Sequence, residues 1–241
     1  MTGLREGDAV ALWRDPGHER PGAYADAVIR DAADVLRVPD GIDPWRVAPL
    51  ELAMCVAAAI VPLARENRIR GRVAAVGGLG PAGLIAGRLL RAEGAADVIG
   101  IDPDPRRREM AGRLGLSAIG LDDLAALPLR PKGAFDVAID CHGSAGSVEA
   151  LMDRTREIVA LFGVQRAEDR FRPLHYDGLR LQGYPGHSRE AAEVALARIV
   201  DGTLPLDALV THRFPLDRYA EGIDLLERKE AVKVGFDPRL T

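Results

Sequence analysis

Short runs of continuous apolar residues alternate with amphipathic stretches through the middle of the chain. The runs predict strands at 72–76, 97–101, 135–139, 157–161 and 179–183, and the stretches predict helices at 81–93, 105–114, 145–155 and 188–201. Strands without polar alternation are typical of a parallel sheet that helices cover on both faces. The pattern therefore predicts an α/β fold with a doubly wound parallel sheet.

The two ends of the chain have a different pattern. Residues 8–13 and 23–30 predict short strands, and the segment WRDPGHERPG between them is rich in turn-forming Pro and Gly. A long apolar helix is predicted from about Trp45 to Asn67, with Pro62 bending or interrupting it. The last part predicts a strand at 208–213, a helix at 217–229 and a strand at 231–236.

A glycine-rich loop, Gly78-Leu79-Gly80-Pro81-Ala82-Gly83, lies between a predicted strand and a predicted helix. Glycines at this spacing are by themselves weak evidence for a dinucleotide-binding loop, but their place between a strand and a helix strengthens that interpretation. Gly78 allows a tight turn, Gly80 lets the backbone approach a pyrophosphate, and Gly83 lets helix and strand pack closely. The N–H groups and positive dipole end of the helix favour phosphate. We interpret the loop as the dinucleotide site of a Rossmann-type domain.

An acid ends the next predicted strand, since Asp102 lies 24 residues after Gly78. A carboxylate there accepts hydrogen bonds from the adenosine ribose and repels the 2′-phosphate of NADP, which favours NAD. Arg106, Arg107 and Arg108 could neutralise such a phosphate and point the other way. Pro103, next to the acid, occupies the place where a phosphate-binding Arg would be most useful. The prediction is NAD, with NADP as the alternative.

Composition narrows the classes of partner. Of 241 residues, 47% are hydrophobic, and the formal net charge of −4 offers no basic surface for nucleic acid or anionic membrane. No uninterrupted apolar run reaches the length of about 18 residues that a membrane span needs, and the first residues are polar, unlike a signal peptide. Two cysteines supply neither a disulfide framework nor a four-cysteine zinc site. We expect a cytoplasmic protein with a small-molecule substrate.

The order of the motifs resembles the medium-chain dehydrogenase/reductase superfamily, which includes the zinc-type alcohol, sorbitol and threonine dehydrogenases. The similar segments are GDAVAL, GAYADAVI, VLRVPDGID, PLELAMCVAAAI, RVAAVGGLGPAGLIA, VIGIDPDPRRREMAGRLG, FDVAIDCHGS and ALVTHRFPLDRYAEGIDLLERKEAVKVGFDP. The resemblance implies a Rossmann domain at 51–212 and a truncated remnant of a GroES-like catalytic domain at 1–50, joined by 213–241. It also implies an NAD(P)-dependent oxidoreductase that interconverts an alcohol and a carbonyl compound.

The resemblance also assigns cofactor-binding residues by position. Gly78, Leu79, Gly80, Pro81, Ala82 and Gly83 fall on the pyrophosphate loop, and Asp102 falls on the ribose-binding acid. The same comparison puts Arg107 by the adenosine and Lys233 at the pyrophosphate. Residues expected to line the nicotinamide side are Cys141, His142, Gly143 and Tyr184.

Metal ligands are where the chain departs from the family. The family's zinc ligands lie in sequence that precedes the GD-x-V strand, and the cysteine-rich lobe that follows it is replaced here by WRDPGHERPG. Gly17-His18-Glu19 follows that strand instead of preceding it, so we interpret it as a surface turn. Glu51 lies where sorbitol-dehydrogenase-like members have a glutamate near the metal, and Cys55 is expected to pack in the core. The prediction is that no zinc is bound.

Two functional hypotheses stay open. The first is a zinc-independent, NAD-dependent oxidoreductase in which His142, Tyr184, His187 or Glu51 exchanges the proton; His175 and His212 are expected to be structural. The second is a non-catalytic or accessory nucleotide-binding relative. In either case the apolar segment 208–214 is predicted to be the edge strand of the Rossmann domain through which a homodimer forms.

Overall fold

The computed structural model describes residues 3–14 and 22–240. Two compact units divide the chain: a central unit, Val56–Gly186, and a terminal unit formed by Met1–Cys55 together with His187–Thr241. These bounds differ from the predicted 51–212 and from the predicted 1–50 joined by 213–241, because residues 51–55 and 187–212 belong to the terminal unit.

The central unit is built on a six-stranded parallel sheet. Its strands are β3 (Val73–Gly77), β4 (Asp97–Ile101), β5 (Ser117–Ile119), β6 (Phe135–Asp140), β7 (Thr155–Leu161) and β8 (Arg180–Gln182). The order β5-β4-β3-β6-β7-β8 is that of a doubly wound dinucleotide-binding sheet, with a switch of direction between β3 and β6. This confirms the predicted α/β Rossmann-type fold.

Helices flank this sheet and bury its apolar side chains. They are α3 (Pro81–Ala92), α4 (Pro105–Arg113), α5 (Leu121–Ala126) and α6 (Ala145–Arg154). Val148 and Leu151 of α6 and Leu124 of α5 pack with Ala138 of β6 in one fully buried cluster. Proline at the first turn of α3 and of α4 suits both helix starts, because its missing N–H would have no acceptor there. Strand β5 and helix α5 were not predicted.

The terminal unit holds two small two-stranded sheets. Strand β1 (Val10–Leu12) pairs antiparallel with β2 (Val35–Arg37), and β9 (Val210–Phe214) pairs parallel with β10 (Lys233–Phe236). The predicted strand at 23–30 is wrong: those residues form no strand, and Ile29 is 94% exposed. Helices α7 (Arg189–Val200) and α8 (Tyr219–Glu227) complete this unit with α1 (Pro44–Val47).

The prediction that the segment 208–214 is the edge strand of the Rossmann sheet is also wrong. The segment 208–214 contains β9, which pairs only with β10 among the described strands and does not belong to the six-stranded sheet. The edges of that sheet are β5 and β8. Continuous apolar character cannot tell an edge strand of a large sheet from a strand of a small one, and this is why the pattern misled.

The long apolar helix is α2 (Leu50–Arg65). Its break from α1 lies at Ala48–Pro49, whereas Pro62 lies inside the helix without interrupting it. By length and composition Pro44–Arg65 could cross a membrane, but 67% of its most apolar window is buried inside the protein. That burial is typical of a core helix.

Candidate active site

A cleft of about 340 Å³ lies at the carboxyl ends of β3, β4 and β6. This is the switch point of the sheet, where open α/β sheets bind their ligands. Its lining combines the glycine loop, the acid after β4, the loop after β6 and the first turn of α6. The lining residues are Gly77, Gly78, Ile101, Asp102, Pro103, Arg107, Leu121, Leu124, His142, Ser144, Gly146, Ser147, Ala150 and Leu151.

Each glycine of the loop has its own steric reason. Gly78 has φ +84°, a left-handed conformation that L side chains rarely adopt, and a Cβ there would lie 3.1 Å from the Cβ of His142. A Cβ on Gly83 would overlap the carbonyl oxygen of Gly78, so this glycine lets α3 approach the loop. Gly80 differs, because its Cβ would meet nothing within 4 Å. The backbone at Gly80 therefore faces open space beside the start of α3.

The N-terminus of α3 faces that space. Gly80 is the N-cap residue and Pro81 is the first helical residue. The N–H groups of Ala82 and Gly83 lie in the first turn, where a helix offers them no internal acceptor. With the positive end of the helix dipole, these N–H groups could hold an anion such as a pyrophosphate.

Asp102 connects the second strand to this loop. Its carboxylate is 2% exposed, and its Oδ2 accepts a hydrogen bond of 2.8 Å from the backbone N–H of Leu79. Its Oδ1 accepts one of 2.8 Å from the N–H of Asp104. The N–H of Leu79 is thus used within the protein, and its buried side chain packs against Gly100. Leu79 positions the loop, and Asp102 presents a fixed acceptor to the cleft.

The three consecutive arginines after Asp102 have different partners. The Arg106 guanidinium pairs with Asp104, whose side chain caps α4, and that of Arg108 donates to the carbonyl oxygens of Asp102 and Pro103. Arg107 alone of the three lines the cleft, with its Nη1 3.4 Å from the Asp102 carboxylate. Only Arg107 is therefore placed to meet a nucleotide.

A second buried acid, Asp140, organises the loop after β6. It is fully buried and accepts hydrogen bonds from the N–H of Gly143 at 2.8 Å and from the hydroxyl of Ser147 at 2.7 Å. Burial, together with the charge of Asp140, raises the pKa of the Cys141 thiol, so that thiol stays protonated. The sequence interpretation missed Asp140 and Ser147, although an acid at the end of a buried strand was a usable signal.

The loops after β6 and β7 lie against each other. A Cβ on Gly143 would overlap the carbonyl oxygen of Val164, so glycine is required for this approach. Beyond β8, the ring of Tyr184 packs edge-to-face on Phe162, with centroids 5.6 Å apart. His142 lines the cleft and is exposed. The predicted nicotinamide-side residues Cys141, His142, Gly143 and Tyr184 thus all lie at the carboxyl end of the sheet.

Glu51, Cys55 and His187 come together in the terminal unit. The Cys55 sulfur lies 3.3 Å from Oε1 of Glu51 and 3.0 Å from Nε2 of His187, and the three donor atoms lie within 4.8 Å of one another. Glu51 and Cys55 are one turn apart on α2, and His187 precedes the N-cap of α7. The sequence interpretation took Cys55 as a core residue and did not join His187 to it.

The remaining predicted residues lie elsewhere. Lys233 begins β10 in the terminal unit, and its role at the pyrophosphate stays a prediction. His175 is fully buried and its Nε2 lies 2.8 Å from Asp153, which indicates a structural role. His212 is stacked on Phe214. Gly17, His18 and Glu19 lie outside the described residues.

Comparison with known proteins supports this geometry. The L-threonine 3-dehydrogenase of Anaeromyxobacter sp. (strain Fw109-5) is 28% identical over 230 residues, which cover 92% of this chain and 66% of the relative. This similarity agrees with the predicted resemblance to the medium-chain dehydrogenase/reductase superfamily. It spans about two thirds of the length of the curated relatives that it matches. No family model matches the chain.

Solved structures agree on the fold. An alcohol dehydrogenase of the archaeon Aeropyrum pernix is 21% identical with a TM-score of 0.81, and the match covers 97% of this chain and 76% of that one. A protein described as a zinc-binding dehydrogenase of Sinorhizobium meliloti, solved with NADP bound, is 24% identical with a TM-score of 0.76 over 85% and 62% of the two chains. These neighbours share the fold of this chain.

Proposed function

We propose that this protein is an NAD-dependent oxidoreductase that transfers hydride between the nicotinamide and an alcohol/carbonyl substrate. The observation that carries the proposal is the buried Asp102 carboxylate, bound to the Leu79 N–H of the glycine loop at the switch point of the sheet. This hydrogen bond would fix both the acceptor for the ribose and the shape of the pyrophosphate loop. A glycine-rich turn that binds no ligand would need neither a buried acceptor at the cleft nor a fixed loop shape.

A bound dinucleotide would extend from the N-terminus of α3 into the cleft beside Asp102. The open space beside Gly80 and the amides of Ala82 and Gly83 would hold the pyrophosphate. Asp102 would accept hydrogen bonds from the adenosine ribose, and Leu121 and Leu124 offer an apolar wall for the adenine. When bound, the nicotinamide supplies the hydride donor or acceptor at its C4. The protein's contribution would be to position the ring.

Asp140 would fix the loop that faces the nicotinamide. It accepts hydrogen bonds from the N–H of Gly143 and the hydroxyl of Ser147, which tie the loop to the start of α6. His142 and Tyr184 are the candidate proton-exchanging groups in the central unit, because imidazole and phenol side chains both serve as general acids and bases in enzymes. His187 and Glu51 instead lie with Cys55 in the terminal unit.

NAD is the proposed cofactor, and NADP is the alternative. The Asp102 carboxylate disfavours a 2′-phosphate, and Arg106 and Arg108 already have partners within the protein. Against this, Arg107 lines the cleft, and the Sinorhizobium meliloti neighbour was solved with NADP. Asp102 decides the proposal because its position is fixed by two backbone N–H groups, whereas Arg107 lies at the longer distance of 3.4 Å.

Zinc independence is a separate part of the predicted function. It followed from the two donors on α2, Glu51 and Cys55, which cannot hold a catalytic zinc alone. The third donor, His187, weighs against it. The predicted cytoplasmic location is consistent with a dehydrogenase of this superfamily and stays a prediction, as do the small-molecule substrate and the absence of nucleic-acid and membrane partners.

Turnover measurements separate the enzyme from a nucleotide-binding relative that has lost its chemistry. The purified protein with NAD would be assayed against L-threonine, simple secondary alcohols and polyols by the absorbance of reduced nicotinamide, with NADH binding measured by calorimetry on the same sample. NADH binding with turnover of one of these alcohol classes supports the proposal. NADH binding without turnover of any favours the non-catalytic alternative, and failure to bind NADH or NADPH rejects both.

A further inference from the structure

Three side chains with different metal-donor atoms lie close together in the terminal unit. They are the carboxylate of Glu51, the thiol of Cys55 and the imidazole of His187, all within 4.8 Å of one another. Cys55 is at the centre, with its sulfur 3.3 Å from the Glu51 oxygen and 3.0 Å from the His187 nitrogen. Helix α2 sets the first two by its i, i+4 spacing. Since His187 is 132 residues from Cys55 in the chain, only the tertiary fold brings in the third.

These separations are close to those of a metal site. With Zn–S of about 2.3 Å and Zn–N or Zn–O of about 2.1 Å, a tetrahedral zinc ion spaces its sulfur from each of the other donors by about 3.6 Å. The observed 3.0 Å and 3.3 Å therefore need to open by only a few tenths of an ångström, which side-chain rotation supplies. A nucleophilic Cys–His pair is the alternative use of such residues, and in it the acid orients the imidazole. In this cluster the Glu51 carboxylate contacts the Cys55 sulfur instead.

The surroundings leave one side of the cluster accessible. Cys55 is buried, whereas Glu51 and His187 are exposed. Glu51 also lines a cleft of about 310 Å³ in the same unit, whose other lining residues, including Val10, Leu12, Val38 and Leu50, are apolar or small. Three protein ligands with an open fourth position are the arrangement of catalytic zinc, whereas structural zinc is fully enclosed by four ligands.

We propose that Glu51, Cys55 and His187 bind one zinc ion with an open position toward this apolar cleft. Thiolate, imidazole and carboxylate are the donors that zinc takes in proteins, whereas magnesium and calcium prefer oxygen alone. A zinc ion there would act as a Lewis acid toward a hydroxyl or carbonyl oxygen of a small molecule in the cleft. This catalytic use rests on the proposed oxidoreductase function, but the binding of the ion does not.

Metal binding is tested first without any assay of activity. Protein purified without a histidine tag would be freed of metal and titrated with Co²⁺, whose thiolate complex gives a near-ultraviolet charge-transfer band, and zinc content would be measured by elemental analysis. We expect one metal ion per chain and a thiolate band in the unmodified protein. No thiolate band, or zinc well under one per chain after incubation with zinc and desalting, overturns the proposal.

Matched variants identify the ligands. Cys55→Ser should abolish the thiolate band, whereas Cys141→Ser, at the other cysteine of the chain, should keep it. His187→Ala should weaken Co²⁺ binding by at least about tenfold, because even an outer-shell partner of a metal ligand contributes about 10- to 100-fold; His212→Ala is its control. His187 is exposed, so its replacement tests the site without disturbing the core. Equal effects of Cys55→Ser and Cys141→Ser, or no effect of His187→Ala, reject the assignment.

The metal proposal and the proposed function fail in different ways. NADH affinity measured with and without chelator is expected to be the same, because none of Glu51, Cys55 and His187 lines the cleft beside Asp102. Loss of NADH binding on metal removal would contradict a site formed by Glu51, Cys55 and His187 alone. A metal-binding protein that does not bind NADH would reject the oxidoreductase and leave the metal site.

Discussion

Replacing Asp102 by asparagine should remove most of the preference for NADH over NADPH. Asparagine keeps one oxygen that can accept the N–H of Leu79 or that of Asp104, and removes the charge. Alanine or glycine would leave both buried N–H groups unpaired, at a cost of about 1–3 kcal/mol each, and would confuse loss of selectivity with loss of the loop. The isosteric change separates the two effects.

The size of the effect follows from two contributions. A hydrogen bond to a charged acceptor contributes about 1.5–3 kcal/mol and a neutral one about 0.5–1.5 kcal/mol, so NADH loses about 1 kcal/mol. Repulsion between a carboxylate and a phosphate at about 4 Å is about 1 kcal/mol in bulk water and about 4 kcal/mol at an effective dielectric constant of 20. The positive charge of Arg107 offsets part of this repulsion, so we expect the loss of repulsion to improve NADPH binding by about 1–2 kcal/mol. The ratio of the two dissociation constants should fall by about 30- to 140-fold.

Calorimetric titration of both nucleotides against both proteins measures this ratio. The matched control is Asp104→Asn, which removes the same charge two residues away at the N-cap of α4, where asparagine caps as well as aspartate. The control should leave the ratio unchanged. Tighter binding of NADPH by the unmodified protein, or an equal change in both variants, would refute the reasoning and transfer cofactor recognition to Arg107.

Three further predictions concern stability, protonation and assembly. Gly83→Ala should lower the free energy of unfolding, measured in a urea titration, by about 1–3 kcal/mol through overpacking against the Gly78 carbonyl oxygen. The control Gly112→Ala, whose Cβ meets nothing within 4 Å, should not destabilise the protein. Equal stabilities of the two variants would contradict the close packing at Gly83. Side-chain and backbone hydrogen bonds from Arg239 lower the pKa of Asp237 from 3.8 to about 2, so their stabilising effect is present above pH 3.8 and lost as the pH falls through about 2. NMR titration should place the midpoint there and find it higher in Arg239→Gln, and a midpoint at 3.8 in the unmodified protein would refute this. We propose that the homodimer forms through β8, the edge strand at which Leu181 is 46% exposed. Light scattering should find a dimer in the unmodified protein and a monomer in Leu181→Lys. A monomeric unmodified protein would reject this proposal.

The sequence predicted the central unit well because burial on both faces leaves a clear pattern. Strands such as β3 and β6 consist mainly of apolar residues, and the glycine loop and Asp102 lie at fixed places relative to them. Segment 117–126 was missed, because a three-residue strand and a helix beginning Leu-Asp-Asp carry little periodic signal. In the terminal unit the small sheets have few buried positions, and alternating apolar residues at 23–30 resembled a strand without forming one.

The candidate metal site shows a different limit of sequence interpretation. Glu51 and Cys55 are visible as a pair on one helix face, but no local pattern links them to His187 across 132 residues. Their apolar neighbours on α2 suggested packed core, and two donors were too few for zinc. Pairing of distant segments depends on the whole fold, so the third donor could be found only in three dimensions.

The central claim, that a dinucleotide binds with its pyrophosphate at the N-terminus of α3, is tested most directly by titrating NADH against Gly80→Val. Gly80 has extended backbone angles that valine adopts, and its Cβ meets nothing within 4 Å, so the folded protein accepts the change with a loss of at most about 1 kcal/mol of stability at this N-cap. The valine would occupy the phosphate space and should weaken NADH binding by at least about tenfold, the equivalent of one charge-assisted hydrogen bond. Gly112→Ala is the control and should bind NADH as the unmodified protein does. Unchanged NADH affinity in a folded Gly80→Val variant would contradict a pyrophosphate site at this loop.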